Sequence, residues 1–186
     1  MRTGGIRVTD DAEMRLKKSL LVFATGLFCT GSMLWLFLYG QMGPQFSATA
    51  PFFFQLLLVG NLVYFLNSGN FEWFRITQLS LFLFAPFIVQ WSIGNFITAS
   101  GTSLWGLLAP IGAVLFCGPR ESIAWFIAYI FLTALSGFFD YYLADAPISN
   151  AHKVSTETSV FFFALNFAAI SSIVYLLLRY AIVEKG

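Results

Sequence analysis

The chain has 186 residues, 58% of them hydrophobic and only 10% charged, with a formal net charge of +1. Soluble domains carry about 25% charged residues, so this little charge cannot coat a surface that faces water. One histidine and two cysteines, Cys29 and Cys117, each set in a different apolar block, exclude a Cys/His metal site and make a disulfide unexpected; no cofactor is expected either.

In chain order, residues 1–18 read as a cytoplasmic lead. Residues 1–9 are expected to be disordered, and Asp10 to cap a short amphipathic helix, with Glu13 completing a capping box. The apolar block that follows is too long for a signal-peptide core, so no cleavage is expected. Residues 19–183 form the membrane domain, predicted to be all-α with six transmembrane spans. The first, at 19–39, reaches roughly 31 Å at ~1.5 Å per residue, one bilayer core. After a turn at 40–47 the second runs over 48–66 and carries Gln55 and Asn61; residues 67–74 (NSGNFEWF) read as an interfacial loop. The third covers 75–96 and is interrupted by Pro86. The fourth, 104–118, reaches only about 22 Å as a helix, so it must begin near Ser100 or lie in a thinned or re-entrant region, and Pro110 should kink it. The fifth runs over 122–143, a polar loop follows at 144–157, and the sixth covers 158–181. Residues 184–186 begin a cytoplasmic linker or tail. The third and fourth spans, rich in Gly, Pro, Trp, Asn and Gln, read as a tight central hairpin with the other helices packed round it. The aromatic runs Phe52–Phe54 and Phe161–Phe163 look alike but their flanks do not keep step, so no inverted repeat is expected.

With six spans, nine of the ten Lys and Arg residues fall on one side: Arg2, Arg7, Arg15, Lys17, Lys18, Arg75, Arg120, Arg179 and Lys185, leaving Lys153 on the other. That bias places both termini in the cytoplasm.

The tools of catalysis are missing. His152 is alone, no phosphate-binding or dinucleotide-binding glycine pattern occurs, and no catalytic or metal-ligating residue is assigned. Glu72 and Arg75 stand three apart near an interface and can pair, for about 0–1 kcal/mol. Two clusters remain. On the outer side Gln90, Trp91 and Asn95 close the third span, Trp105 opens the fourth, and Asp140, Tyr141 and Tyr142 end the fifth. They read either as a shallow pocket for a small or lipid-like ligand or as an aromatic belt with Asp140 at the water line. On the sixth span Ala164, Ala168 and Ser172 recur every four residues around Asn166, a helix-packing or dimer face. Spacing favours packing within the chain over a second copy.

The runs PFIVQWSIGNF (86–96), SGTSLWGLLAPIGAVLF (100–116) and GPRESIAWF (118–126) resemble the six-helix membrane anchor at the N-terminus of bacterial class III adenylate/guanylate cyclases, and related anchors precede sensor histidine kinases. The likeness extends loosely over the charged lead, the stretch NSGNFEWFRITQLSLFLFAPF and the pair Arg179–Tyr180. It implies a homodimer in the bacterial inner membrane, with the lipid bilayer, a cyclase or kinase domain (fused or separate) and a small or lipid-like ligand as partners, and no nucleic acid. It brings no catalytic residues, and a cyclase's metal-binding aspartates have no counterpart after residue 181. The expected function is a sensory or regulatory anchor that relays a membrane or ligand signal to a cytoplasmic output domain. The alternative is the substrate-binding membrane subunit of a small-molecule, vitamin-type importer, also a six-span chain of this size. An enzyme acting on lipids is a third reading, without a paired base and nucleophile to carry it.

Overall fold

The computed structural model describes residues 10–41, 49–142 and 156–183, and every element among them is helical. In order these are α1 (Ala12–Gln41), α2 (Thr49–Ser68), α3 (Phe71–Ile93), a 3-10 segment (Thr102–Leu107), α4 (Leu108–Phe116), α5 (Pro119–Tyr142) and α6 (Thr156–Val183). The disordered lead, most of the first turn, most of the second polar loop and the linker, expected at 1–9, 40–47, 144–157 and 184–186, lie largely or wholly outside the described residues.

Among the described residues four helices are long and apolar enough to cross a membrane: Ala50–Ser68, Phe71–Ile93, Pro119–Tyr142 and Glu157–Val183. These are the marks of a multi-pass membrane protein. The outward surface agrees, because Phe52, Phe53, Ile127, Phe131, Phe161 and Phe167 are all exposed. Water would penalise so much open apolar area, whereas lipid does not.

Local chemistry moves several expected boundaries. α1 is one continuous helix rather than a short helix followed by a span. Its cap is Asp11, whose Oδ1 accepts the Met14 N–H at 2.7 Å, while the Asp10 carboxylate pairs instead with the Lys18 ammonium at 2.7 Å. The connection between α2 and α3 is only Gly69–Asn70. Gly69 takes a φ of 68° that a side chain would resist, and Asn70 caps α3 by accepting the Trp73 N–H at 3.2 Å. The stretch Phe71–Phe74, expected in a loop, is therefore the first turn of α3. α3 continues through Pro86 and stops at Ile93. Pro110 sits in the first turn of α4, directly after the 3-10 segment, where a missing N–H removes no α-helical bond within α4.

α3 is the centre. It packs against α1, α2, the 3-10 segment, α4 and α5, and half of its span is buried against 22% for α2 and α5 and 28% for α6. Aromatic side chains fill the interior, with Phe65 stacked on Phe74 at 4.4 Å and Phe28 on Phe82 at 4.7 Å. Within lipid such contacts contribute through dispersion and fit, since the surroundings are as apolar as the core. α6 lies at the edge: it touches α1, α4 and the 3-10 segment, and among the described residues it does not pack on α5, its predecessor in the chain.

The helix ends fall into two groups. At one end Ser19 and Tyr180 share a hydrogen bond of 2.7 Å, and Arg75 reaches Glu121 at 3.6 Å, so the starts of α1, α3 and α5 meet the close of α6. Every Lys and Arg among the described residues belongs to that end: Arg15, Lys17, Lys18, Arg75, Arg120 and Arg179. At the opposite end Trp35 of α1 meets Phe162 of α6, with ring centres 5.2 Å apart.

Candidate functional site

The opposite end is built round residues 94–107, which leave α3, turn, and return as the 3-10 segment. Side chains from three helices hold this stretch. Asn166, fully buried on α6, accepts the Trp105 indole N–H at 2.7 Å through Oδ1 and donates Nδ2 to the Ser100 carbonyl at 2.7 Å. Gln90 of α3, equally buried, accepts the Ser103 N–H at 3.2 Å, and its Nε2 has no protein partner. Asp140 of α5 accepts the Phe96 N–H at 2.8 Å. A fifth bond pins α3 to α5, from the Trp91 indole N–H to the Ser136 hydroxyl at 2.9 Å.

The backbone here is constrained as well. Ser100 holds a φ of 53°, and Gly101 follows at 67°. A Cβ on Gly101 would stand 2.8 Å from the Phe163 ring, so α6 seats directly on the turn. Trp105 approaches α1 as closely: a Cβ on Gly31 would lie 2.6 Å from its indole, and its ring meets Phe28 edge-on at 5.3 Å.

Of the residues singled out by sequence, Gln90, Trp105 and Asn166 come together round the 3-10 segment. Trp91 and Asp140 hold neighbouring positions in the same network. Asn95 serves its own turn, with Oδ1 accepting the N–H groups of Ile97 and Thr98 at 3.0 and 2.9 Å. Tyr141 projects outward at 78% exposure and packs edge-on against Tyr142, apart from the others. Ala164, Ala168 and Ser172 are exposed, on the side of α6 away from its buried stripe of Phe162, Asn166, Ile170, Ile173 and Leu177. Asn166 therefore packs within the chain, while the small residues grouped with it face outward.

Beside the network is a cavity of about 60 Å³. Phe28 and Trp35 of α1, Phe54 and Leu58 of α2, Val89 of α3 and Trp105 make its apolar wall. Pro86 also faces it, and Ser32, Gln55 and Thr102 are its polar members. Nothing in the linear pattern marks Ser32 or Thr102. Gln55 was visible only as a polar residue in an apolar span. Gln55 ties α2 to α1, accepting from the Ser32 hydroxyl and donating to the Cys29 carbonyl at 3.2 Å. Deeper toward the basic end Asn61 donates to Gln78 at 2.7 Å.

The two cysteines are free thiols. Among the described residues no group of three His, Cys, Asp or Glu side chains is placed to hold a metal ion. The 94–107 stretch is held by hydrogen bonds from Asn166, Gln90 and Asp140, and where such a bond is buried, breaking it strands a polar group. Comparison with family models, with curated proteins and with solved structures returns no match.

Proposed function

We propose that the chain is the membrane-integral sensory or regulatory anchor of a class III nucleotide cyclase or a related kinase: a six-span bundle with a central Pro/Gly-rich hairpin, dimeric, in the bacterial inner membrane, with both termini cytoplasmic. The single observation that carries this reading is the position of α6. It is an edge helix, tied at its far half to the 94–107 turn through Asn166, and it leaves the bundle at the basic end beside the start of α1. A change in the turn would move α6 as a unit, and α6 is the helix after which an output domain would follow. The outward stripe Ala164, Ala168 and Ser172 offers a face on which two copies can approach closely. The gathering of every described Lys and Arg at the α6 exit supports the cytoplasmic placement of that end. A signal acts through this device only if it binds the two arrangements of the turn with different affinity.

The test fuses a class III cyclase catalytic domain after Gly186 and measures cyclase rate in proteoliposomes. Asn166→Ala and Ala168→Leu are expected to change the output about fivefold or more, the range of a typical coupling free energy. Output indifferent to both substitutions, at equal protein level, would contradict the reading.

A further inference from the structure

From the chemistry of its wall, we infer that the cavity bounded by α1, α2, α3 and the 3-10 segment is a binding site for a slender, uncharged, aliphatic molecule that carries one hydrogen-bond donor, an alkyl alcohol. Three features of the wall carry the inference. First, among the described residues no Asp, Glu, Lys, Arg or His lines the cavity, so a charged guest would lose its hydration without a counter-charge. Second, the size is narrow. An apolar cavity of ~150 Å³ takes up benzene; about 60 Å³ accommodates a stretch of alkyl chain and not a ring or a headgroup. The rim residues Ser32, Pro51, Phe54 and Thr102 are only half-buried, so the rest of a chain can trail outside.

Third, the two hydroxyls of the wall have committed their protons, while the Gln55 amide gives one of its two hydrogens to the Cys29 carbonyl. The Ser32 hydroxyl has one hydrogen, shared between the Cys29 carbonyl and Gln55 Oε1, and the Thr102 hydroxyl spends its own on the Ala99 carbonyl. Both oxygens are left with lone pairs only. To satisfy either oxygen a guest must donate: an alcohol can, whereas an ether or ketone, able only to accept, is limited to the second Gln55 N–H. Trp105, which forms part of the wall, holds the indole N–H that Asn166 accepts, so a guest touches the residue that fastens α6. Binding to this site stands independently of the cyclase reading.

The experiment uses the full chain in phosphatidylcholine vesicles, with no output domain attached, and octanol bearing a diazirine on its chain as the photolabel. Adducts are mapped by mass spectrometry. Saturable labelling is expected at Trp35, Phe54, Leu58 and Val89. Unlabelled octanol should displace it about tenfold more effectively than heptyl methyl ether, which matches it in length but has no donor. Thr102→Val should weaken the label's apparent affinity about threefold to tenfold. Labelling that does not saturate and spreads over outward positions such as Phe52 and Phe53, or equal competition by alcohol and ether, overturns the assignment. Because competition is measured on the unaltered chain, a variant that fails to fold does not blunt the test. Failure here would leave the α6 relay standing, and failure of the fused cyclase to respond would leave the binding site standing.

Discussion

The two ends of this bundle solve the same problem by different means. At the basic end the helices are joined by minimal turns, Gly69–Asn70 and Cys117–Gly118, and by Arg75 of α3 reaching Glu121 of α5 at 3.6 Å, while Lys17–Glu13 at 2.7 Å and Arg75–Glu72 at 2.6 Å pair within α1 and α3. Glu13, Glu72 and Glu121 remain largely exposed, so water and salt share those charges. At the other end a long irregular stretch, 94–107, is held by neutral or singly charged hydrogen bonds from α3, α5 and α6, with Asn166 and Gln90 wholly buried. The lesson concerns solvent rather than bond type. Exposed ion pairs contribute about 0–1 kcal/mol, whereas a buried polar group left without its partner costs about 1–3 kcal/mol. The end with no Lys or Arg among its described residues thus rests on buried polar groups, whereas the basic end mixes these exposed pairs with one buried pair, Lys18 and Asp10.

The sharpest way to break this contrast is Asn166→Leu, which strands both the Trp105 N–H and the Ser100 carbonyl. Unfolding in bicelles should show a loss of about 2–4 kcal/mol; a loss below that of any surface substitution would remove the distinction between the ends. Next comes Gly31→Ala, whose new methyl meets the Trp105 ring at 2.6 Å. It should cost about 1–3 kcal/mol by overpacking and displace the indole, visible as a shift of tryptophan emission. Asp140→Asn keeps an acceptor for the Phe96 N–H but gives up the charge, and about 1 kcal/mol is expected. Smallest is Glu72→Gln at the basic end, where Arg75 keeps Glu121 within 3.6 Å. Stability should fall by less than about 1 kcal/mol, and raising salt to ~1 M should erase that difference while leaving the Asn166→Leu loss in place.

The membrane class and the helical content were legible because length and apolar content are what a bilayer demands of a helix. The inward faces were not. In water an amphipathic helix announces its core side, but in lipid both sides are apolar. On α6 the buried Phe162 and the exposed Phe161 and Phe163 are chemically the same residue. Only the polar side chains break that symmetry, so Asn166, Gln90 and Trp105 stood out, while the Ala164, Ala168 and Ser172 stripe, whose spacing favoured packing within the chain, faces outward. Spacing also said nothing of partners. Ser100, Ser103 and Ser136 are ordinary serines until the fold brings them to Asn166, Gln90 and Trp91. The early start of α3 turned on a local competition, in which the Asn70 cap and the freedom of Gly69 outweighed the polar look of NSGNFEWF.

The most direct measurement is a double-mutant cycle between Trp105→Phe and Asn166→Ala, read as unfolding free energy in bicelles. If α6 is fastened to the 94–107 stretch through this hydrogen bond, the two losses will fall short of additivity by about 1–2 kcal/mol. Losses that add to within about 0.3 kcal/mol would mean the two side chains merely lie side by side, and α6 would have no hold on the turn.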